Sequence, residues 1–528
     1  MMKILTAEEM GAADRRTAEQ AGIPMAQLMD AAGTAVAAFC LRRFPDVRSI
    51  VALCGKGNNG GDGVVAARVL AARGITARVV LLGSSADVKG DAAGALDQLR
   101  RETPQVAITE VFTEEELAAA IHAQPADLLL DAVVGTGFKP PLRGLAEAAR
   151  KLIAEMATPV VSVDLPSGWN ADSLEQTGDG AYRSNAVVTF TAPKRAHIFG
   201  YLTPGPVVVA PIGSPDSVVL SGANLYWTGS SKTIAEKPRD ANSNKGKYGH
   251  VLLIGGSYGT AGAPSMSSLA AMRTGAGLVT AAVPKSVVDL VAGIAPELMV
   301  KPLEEGPEGA IALSNVQGAQ LEKLIERMSV LAIGPGLSQR GEASAAVREL
   351  IARTKLPAVI DADGLNAFAG ATDLLDGSGR TLVLTPHPGE MARLAGMTVK
   401  EVEADRIGLA RSFATKHKLT LVLKGWRTLV AHPDGSIGVN TTGNPAMSKG
   451  GSGDILTGIV AAMLAQFPDD VARAVETAVY LHGLAADFAA REMDEHTVLA
   501  TDTVAHLSNG FRYRVRDEDN LTWLCGLR

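Results

Sequence analysis

The chain has 528 residues, of which 47% are apolar, 4% aromatic and 20% charged, and its formal net charge is −6. Domains usually hold about 100–200 residues, so this length predicts two or three of them. The apolar content excludes a largely disordered chain. The acidic balance excludes a basic nucleic-acid footprint, and we therefore expect no nucleic-acid partner.

The cysteines and the apolar runs narrow the class of protein further. Cys40, Cys54 and Cys525 are too few and too widely spaced for a disulfide framework, a zinc site or a redox pair. The N-terminal segment lacks the continuous apolar stretch of a secretory signal. The longest apolar windows, such as Ile455–Leu464, fall short of the ~20 residues that a membrane span needs. We expect a soluble, cytoplasmic enzyme with no membrane partner.

Short β-rich runs alternate with amphipathic stretches through the first half of the chain. The segment before residue 49 is predicted to be helical, because Met10, Ala13, Thr17 and Ala21 recur at helical spacing. Apolar runs without polar alternation are typical of a parallel sheet that is covered on both faces. Strands are predicted at Ser49–Cys54, Ala77–Leu82, Asp127–Val133, Pro159–Asp164 and Val187–Thr191, and helices at Gly61–Arg73 and Gly144–Ala157.

The second half repeats this pattern after a change of composition. Residues Thr228 to Lys247 are polar and Lys-rich without apolar periodicity, which predicts a linker or a surface crossing. We place the boundary near residue 230 and assign residues 1–225 and 226–528 to two domains. Strands are predicted at Val251–Ile254, Leu278–Val283, Val330–Ile333, Ala358–Ile360, Leu382–Leu384 and Leu419–Leu423.

A glycine loop follows the first predicted strand. Gly55, Gly57 and Gly60 satisfy G-x-G-x-x-G between a strand and a helix, a context that suits a phosphate at a helix N-terminus. The dinucleotide fingerprint also requires an acidic residue about 20 positions further on. Here the second strand ends at Gly83 and no acidic residue occurs before Asp87. A standard Rossmann cofactor site is therefore disfavoured.

Two further loops after strands, residues 131–141 and 163–169, carry more polar groups than a turn requires. Each alone has a structural explanation, since Asp at a strand end often caps the next helix and Gly-Thr-Gly forms tight corners. Ligands of open α/β sheets gather at the carboxyl ends of the strands. Three such loops together therefore predict one shared crevice.

The motifs GKGNNGGDG, DAVVGTGF and VDLPSG, in this order and spacing, resemble the NAD(P)HX epimerase domain over residues 1–220. The resemblance implies a Rossmann-like domain that interconverts the R and S configurations at C6 of a hydrated nicotinamide cofactor. It also implies a potassium ion held by Asn59, Asp131 and Ser167. Asp164 would assist proton movement during ring opening and reclosure, as a catalytic carboxylate. The implied substrate-binding residues are Asn58, Asn59, Gly60, Gly61, Asp62, Gly135, Thr136, Gly137, Phe138, Lys139, Pro140, Pro141 and Asp164.

The segment Asn444–Asp454 carries the strongest local motif, NPAMSKGGSGD, directly before an apolar helical run. Glycines before a helix create an anion hole of backbone N–H groups at the positive end of the helix dipole. Asp454, next to an incoming phosphate there, suits a general base that acts on a hydroxyl. Alternatively, Asp454 only stabilises the helix N-terminus. The chain has no G-x-x-x-x-G-K-[ST] and is not a P-loop enzyme.

This Gly-Ser-Gly-Asp arrangement resembles the ribokinase-like fold. With KGKYG, IGPGL, DADGLN, TPHPGE and the Lys424-Gly425 pair, it resembles the ADP/ATP-dependent NAD(P)HX dehydratase over residues 240–510. The resemblance implies that Asp454 deprotonates the C6 hydroxyl for phosphorylation, with Mg²⁺ accompanying the nucleotide. His387 has a second interpretation, as a residue that only shapes its loop. The implied cofactor contacts are Ala263, Gly336, His387 and Asp454, and the implied nucleotide contacts are Lys424, Gly425, Trp426, Arg427, Thr428 and Gly453.

Both resemblances together predict an α/β, bifunctional NAD(P)HX repair enzyme that is an isomerase and a lyase. It would epimerise R- and S-NAD(P)HX and dehydrate the S form to NAD(P)H at the expense of ADP, giving AMP and phosphate. Its partners would be NADHX, NADPHX and ADP, and we expect a homo-oligomer. Two alternatives stay open. One is a ribokinase-like small-molecule kinase with a regulatory N-terminal domain, and the other treats that domain as a non-catalytic scaffold.

Overall fold

The computed structural model describes residues 1–528 and divides into two compact units. The first unit consists of residues 2–223 and 515–528, and the second unit consists of residues 224–514. No helix in either unit is long and apolar enough to cross a membrane. The three cysteines are free, as predicted, and Cys40 and Cys54 are buried.

The first unit opens with two helices, as predicted, and continues as alternating strands and helices. Its strands are β1 (Ser49–Cys54), β2 (Thr76–Leu82), β3 (Ala107–Val111), β4 (Leu128–Ala132), β5 (Val160–Val163), β6 (Ala186–Phe190) and β7 (Val207–Ala210). Its helices are α1 (Ala7–Gln20), α2 (Met25–Arg43), α3 (Asn58–Ala72), α4 (Gly90–Glu102), α5 (Glu114–His122), α6 (Leu145–Glu155) and α7 (Arg195–Phe199).

These seven strands form a parallel sheet in the order β7-β6-β5-β4-β1-β2-β3. The strand order reverses at β1 and β4, where ligands of doubly wound sheets bind beyond the carboxyl ends. β1, β4, β5 and β6 are buried along almost their whole length, which explains their unbroken apolar sequences. The predicted loops 55–63, 131–141 and 163–169 all leave this end of the sheet.

A strand from the far end of the sequence completes this sheet. The strand Thr522–Cys525, which becomes β18 in chain order, pairs antiparallel with β7. Trp523 is buried against Phe39, and its indole N–H donates to Asp517 at 2.8 Å. The predicted division, which assigned all of 226–528 to the second domain, is therefore wrong for residues 515–528. This apolar strand covers an edge of the first sheet that would otherwise be exposed.

The second unit contains ten strands and twelve helices. The strands are β8 (Leu225–Trp227), β9 (His250–Ile254), β10 (Leu278–Pro284), β11 (Met299–Leu303), β12 (Val330–Ile333), β13 (Ala358–Ile360), β14 (Leu382–Leu384), β15 (Thr420–Leu423), β16 (Leu429–Ala431) and β17 (Ile437–Val439). The helices are α8 (Gly262–Thr274), α9 (Val288–Ala292), α10 (Gly318–Ile325), α11 (Ala343–Arg353), α12 (Asp363–Asn366), α13 (Pro388–Ala395), α14 (Val399–Ala404), α15 (Arg406–His417), α16 (Ser452–Gln466), α17 (Val471–Glu492), α18 (Ala500–Ala505) and α19 (Leu507–Arg512).

The second sheet has the order β11-β10-β9-β12-β13-β14-β15-β16-β17-β8. The strands from β11 to β15 run parallel, and β16 turns back antiparallel to β15. Helix α16 is apolar almost all round and packs in the core against α8 and α17. A helix that is apolar on every side is stable only when it is buried. Its N-terminus is therefore held rigidly, together with Asp454.

The segment predicted to be a linker is partly packed. Residues Thr228–Ala235 form a 3₁₀ helix, and the Lys232 side chain is fully buried. Lys232 Nζ donates to Glu236 at 3.2 Å and also to the carbonyl of Tyr513. Ser231 donates to the buried Glu476 of α17. The linker prediction is wrong here because partners distant in sequence satisfy these polar groups, so their burial is tolerated.

Candidate functional sites in the two units

A cavity of about 670 Å³ lies at the carboxyl ends of β1, β4 and β5 in the first unit. The helices α1 and α2 contribute to its wall. The structure therefore brings the three predicted loops to one crevice. The predicted substrate-binding residues that line it are Asn58, Asn59, Asp62, Gly135, Thr136, Gly137, Phe138 and Asp164.

Five of the predicted substrate-binding residues are not on the cavity wall. A Cβ on Gly60 would lie 1.9 Å from the Gly55 carbonyl oxygen, and one on Gly61 would lie 2.6 Å from Met29 Sδ. These two glycines therefore permit close packing of the start of α3 rather than lining the cavity. Lys139, Pro140 and Pro141 follow Phe138 on the exposed part of their loop.

Asp164 lies in this cavity as one half of a buried ion pair. Its Oδ1 accepts hydrogen bonds from Lys194 Nζ at 2.7 Å and from Thr189 Oγ1 at 2.7 Å. Its backbone has φ 68°, a left-handed conformation that is uncommon for a residue other than glycine. Strained backbone of this kind persists where the surroundings hold it, often at functional sites.

His197 helps to hold that conformation. The Lys194 backbone N–H donates to His197 Nδ1 at 3.0 Å, so the ring proton is on Nε2 and points to the Asp164 carbonyl at 2.6 Å. Burial and the Lys194 charge lower the pKa of His197 to about 4, which keeps the ring neutral. Burial alone would raise the pKa of Asp164, but the Lys194 charge and its hydrogen bond hold it below the ordinary value.

Sequence reasoning did not find Lys194. The signal was present, because a lysine in TAPKRAHIF directly after an apolar strand is expensive to bury without a partner. Such a lysine requires a carboxylate nearby, and Asp164 is that carboxylate. The pair gives the cavity one fixed negative charge and one fixed positive charge.

Of the three residues predicted to hold potassium, Asn59 lines the cavity, and Asp131 and Ser167 are bonded to each other outside its lining. Asp131 is fully buried and accepts from the Ser167 N–H at 2.8 Å, with the Ser167 hydroxyl also bound to it. Burial raises the pKa of Asp131 to about 6, although hydrogen bonds from Ser167 and Ser162 lower it in part. Asn59 donates to the Val163 carbonyl at 2.7 Å, but its own Oδ1 is buried without a partner. An unpaired amide oxygen and a buried carboxylate are suitable donors for a cation.

In the second unit, Asp454 occupies the first turn of α16. The preceding Gly451 has φ 95°, so the GGSG loop turns sharply into the helix and directs backbone N–H groups to its end. The carbonyl of Asp454 accepts from Ser267 at 2.7 Å, which ties this turn to α8. Burial and the negative charge of Asp361 raise the pKa of the Asp454 carboxyl to about 6.

Lys424 connects the carboxylates of this second site. Its Nζ lies 3.1 Å from Asp361 Oδ1 and 3.8 Å from Glu390 Oε2. Burial lowers the pKa of Lys424, but these two carboxylates raise it above its ordinary value, so the group is cationic. A Cβ on Gly453 would lie 3.3 Å from Lys424 Nζ, which places the ammonium beside the glycine loop. Thr457 donates to the other oxygen of Asp361 at 2.7 Å.

Arg406 binds the backbone of the predicted nucleotide segment 424–428. This guanidinium donates to the Lys424 and Leu423 carbonyls at 3.3 Å and to the Trp426 carbonyl. Gly425 has φ 140°, and a Cβ there would lie 2.9 Å from Arg406. The Arg427 guanidinium stacks over the Trp426 ring at 4.3 Å from its centroid. Thr428 bonds back to the Gly425 carbonyl at 3.2 Å.

His387 caps helix α13. The His387 ring accepts a hydrogen bond at Nδ1 from the Gly389 N–H at 3.0 Å, and the backbone N–H of His387 donates to the Glu390 carboxylate at 2.8 Å. This is the loop-shaping arrangement of the alternative interpretation, and the side chain still remains half exposed. A Cβ on Gly336 would lie 3.1 Å from Ala263 Cβ, so the structure also brings this predicted pair together.

Sequence reasoning assigned no role to Asp361, Glu390 or Thr457. Asp361 and Glu390 were visible in DADGLN and TPHPGE, directly after strands β13 and β14. Their convergence on Lys424 depends on the strand order, which local motifs do not reveal. No group of three or more His, Cys, Asp and Glu residues is arranged to hold a metal ion by itself.

The family comparisons match both halves. Residues 25–196 match the family model described as YjeF-related protein N-terminus, and residues 251–509 match the model described as NAD(P)H-hydrate dehydratase. A solved ADP/ATP-dependent NAD(P)H-hydrate dehydratase from Bacillus subtilis, co-crystallised with ATP and Mg²⁺, is 32% identical with a TM-score of 0.47. It covers 54% of this chain and 97% of its own length.

Full-length relatives have the same pair of domains. The bifunctional NAD(P)H-hydrate repair enzyme Nnr of Moorella thermoacetica is 41% identical over 521 residues, covering 96% of both chains. The enzyme of the same name from Escherichia coli K12 is 33% identical, covering 97% of this chain and 95% of its own. The predicted α/β class is confirmed by the sheet and helices of each unit. The chain belongs to the family of bifunctional NAD(P)H-hydrate repair enzymes.

Proposed function

We propose that the first unit interconverts the R and S epimers of hydrated NADH and NADPH, and that the second unit dehydrates the S epimer with ADP as co-substrate. Epimerase and dehydratase activities follow from family membership, which does not favour a small-molecule kinase. The two sites supply suitable chemistry. The proposal rests on one observation: each unit has an aspartate in its site, and the pKa is lowered for Asp164 and raised for Asp454.

For epimerisation, Asp164 is the group that accepts the proton of the C6 hydroxyl. Lys194 keeps this carboxylate ionised although it is buried. Desolvation makes an ionised carboxylate that is held in this way a stronger electrostatic partner than the same group in water. Asn58, Asn59 and the loop Gly135–Phe138 bind the rest of the cofactor along the cavity. Lys139, Pro140 and Pro141 contact substrate only at its exposed end.

For dehydration, Asp454 removes the proton from the C6 hydroxyl while a phosphoryl group is transferred to that oxygen. A pKa of about 6 leaves the carboxylate largely ionised at pH 7 yet basic enough to act. The GGSG amides and Lys424 stabilise the negative charge that develops on the transferring group. The transfer leaves AMP. The ring nitrogen then lends its electron pair as the C6–O bond breaks and inorganic phosphate leaves, and loss of a C5 proton to water restores the C5–C6 double bond of NAD(P)H.

We also propose the two ions. A potassium ion would be held by Asn59, Asp131 and Ser167, and the unpaired Asn59 oxygen and the buried Asp131 carboxylate support this assignment. The potassium ion would be the positively charged partner of the Asn59 amide oxygen and the Asp131 carboxylate. Mg²⁺ would accompany ADP and neutralise charge on its phosphates. A cytoplasmic location and a homo-oligomer remain predictions from the sequence.

A thermal shift tests the potassium site separately. A ligand that binds only the folded state raises its melting temperature. We expect potassium chloride to raise the melting temperature of the first unit more than choline chloride at equal ionic strength, and Asp131→Asn to remove the difference. Equal shifts with both salts in the unaltered chain would refute the ion assignment.

The decisive assay supplies hydrated NADH and ADP with Mg²⁺ and follows the absorbance of recovered NADH. When the substrate is a mixture of R and S epimers, we expect all of it to be recovered as NADH, because the first unit converts the R form to the S form. Release of inorganic phosphate should match NADH recovered. A stable phosphorylated product without NADH would instead indicate a kinase, and recovery that stops at the S fraction would refute the epimerase assignment.

A further inference from the structure

The first helix of the chain is fixed against the segment that carries Lys194. Leu5 forms a parallel bridge with Lys194, and the Leu5 N–H donates to the Pro193 carbonyl at 2.9 Å. Thr6 and Glu9 cap the helix reciprocally, at 2.8 and 3.1 Å. The Ala7 N–H donates to Asp172 at 2.8 Å. Helix α1 therefore begins at a defined position in the first unit.

One face of α1 forms part of the cavity wall. Met10, Ala13 and Thr17 are the buried residues of the helix, and Asp14 follows Ala13 and lines the same cavity as Asp164 and Lys194. The Oδ1 atom of Asp14 is buried and has no hydrogen-bond partner. A buried polar atom without a partner is unfavourable, so its retention points to a partner that arrives with the substrate.

The burial of Asp14 favours its protonated form. Burial raises its pKa, the Lys194 charge lowers it in part, and the negative charge of Asp164 raises it again. Arg15 on the same helix lowers it slightly. Asp14 and Asp164 thus shift in opposite directions, which is the pattern of an acid and a base in one site. The charged groups that line this cavity are Asp14, Arg15, Lys56, Asp62, Asp91, Asp164 and Lys194.

We propose that Asp14 is the acid partner of Asp164 in the epimerase site and donates its proton to N1 of the hydrated nicotinamide ring as the ring opens. This inference rests on the proposed epimerase function and extends it to a residue of α1. It gives the helix before the first strand a chemical role.

The proton balance of the reaction closes with these two groups. On opening, Asp164 takes the proton of the C6 hydroxyl, the C6–N1 bond breaks, C6 becomes an aldehyde, and Asp14 gives its proton to N1. Rotation about the C5–C6 bond then presents the other carbonyl face. On closure, N1 attacks C6, Asp14 recovers the N1 proton, and Asp164 returns its proton to the oxygen. Nothing is oxidised or reduced.

Asp62 does not suit this role. It lies on the same cavity, but burial and the charges of Asp164 and Asp14 raise its pKa far above the ordinary value. A carboxyl shifted in this direction gives up its proton less readily. Asp14, unlike Asp62, also has a buried side-chain oxygen without a hydrogen-bond partner, so Asp14 is the acid that exchanges its proton.

The test uses the full chain with Asp14→Asn and Asp14→Glu. General acid–base catalysis contributes about 10²–10⁴-fold, so Asp14→Asn should lower kcat for epimerisation of R-NADHX by at least about 10²-fold with little change in KM. Asp14→Glu should recover part of the rate. Dehydration of S-NADHX by the same chains should be unchanged, which shows that they are folded. Glu19→Gln, which removes an exposed carboxylate from α1, is the matched control and should leave both activities unchanged.

The pH profile separates proton donation from a structural role. Because Asp14 must be protonated and Asp164 ionised, kcat/KM should fall at high pH as Asp14 loses its proton. This limb should be absent in Asp14→Asn and present in Asp14→Glu. Wild-type epimerisation in Asp14→Asn, or a loss confined to KM with the high-pH limb retained, would overturn the proposal. No epimerisation by the unaltered chain would instead refute the epimerase function itself.

Discussion

Asp164 is buried and Asp454 is partly buried, and their surroundings shift the pKa values of the two carboxyl groups in opposite directions. Lys194 contacts Asp164 directly at 2.7 Å, whereas no cation forms an ion pair with Asp454. The pKa of Asp164 is therefore lowered, while burial and Asp361 raise that of Asp454 to about 6. Both carboxylates are proposed to accept the proton of a C6 hydroxyl, and a base must be ionised to do so. At the residue scale, the two units thus keep the same kind of side chain ionised in two different surroundings.

Asp454→Asn tests the base of the dehydratase. An amide cannot accept the hydroxyl proton, so we expect dehydration to fall by about 10²–10⁴-fold. Epimerisation of R-NADHX, followed by chiral chromatography, should be unaffected. Asp469→Asn, which removes an exposed carboxylate just beyond the other end of α16, is the control. Loss of both activities in a folded Asp454→Asn chain would contradict independent sites.

The pH dependence of dehydration tests the raised pKa of Asp454. The base must be ionised, so kcat/KM should be constant above about pH 6 and fall about tenfold per unit below it. Lys424 lowers the pKa of Asp454, and Lys424→Met should therefore move this limb to higher pH as well as reduce the rate. An acid limb that stays in place in Lys424→Met would show that another group controls it.

Much of each site could be predicted from sequence because its residues follow strands within short, glycine-rich motifs. These motifs predict one crevice for Asn59, Asp131, Asp164 and Ser167. In the structure, Asn59 and Asp164 line the cavity, and Asp131 is hydrogen-bonded to Ser167. Lys194 was missed because its partner precedes it in a different loop, and the ion pair forms only when β5 and β6 lie side by side. Pairings of this kind depend on strand order rather than on a local pattern.

At the scale of elements, strand β18 is one of the strands that local sequence did not predict, together with β3, β7, β8, β11, β16 and β17. It is short, and its pairing with β7 joins residues that are distant in the chain. The buried Trp523 and Phe39 rings have centroids 6.3 Å apart, and Arg42 pairs with Asp517, so α2 holds both the strand and the segment before it. The same long-range effect buries Lys232, which composition alone assigned to a linker.

Trp523→Ala tests the contribution of this strand. Removing a buried aromatic ring costs about 3–5 kcal/mol, and the Asp517 carboxylate would also lose its indole donor. We expect the temperature at which epimerase activity is lost to fall by several degrees while that of the dehydratase stays constant. Glu518→Gln, an exposed neighbour, should change neither. Equal losses of both activities would show that the strand does not belong functionally to the first unit.

At the scale of the whole molecule, the two activities act in series on one pool of damaged cofactor. A dehydratase that accepts only the S form leaves the R form behind unless something converts it. Each unit has its own sheet, its own glycine loop and its own acidic residue at the carboxyl ends of the strands. The activities should therefore be separable by single substitutions although they share a chain.

Lys194→Met tests this separation from the epimerase side. Removing the cation leaves the buried Asp164 without its ion-pair partner and raises its pKa, which favours the protonated carboxyl that cannot accept the hydroxyl proton. With a mixture of epimers, ADP and Mg²⁺, we expect NADH recovery to stop at the S fraction. Adding the Asp454→Asn chain should then restore full recovery. Full recovery by Lys194→Met alone would exclude a role for this lysine.

The return of the chain to its first sheet has a consequence for biosynthesis. Because β18 is separated from β7 by the entire second unit, the ribosome must finish the dehydratase before the epimerase sheet receives its last strand. Until then β7 is an open edge that offers unpaired backbone groups to other chains. The nascent epimerase is therefore expected to be most aggregation-prone while the dehydratase is being made. A chain that stops at residue 223 would keep this edge open permanently, whereas a chain in which a linker joins residue 223 to residue 515 would close it without the second unit.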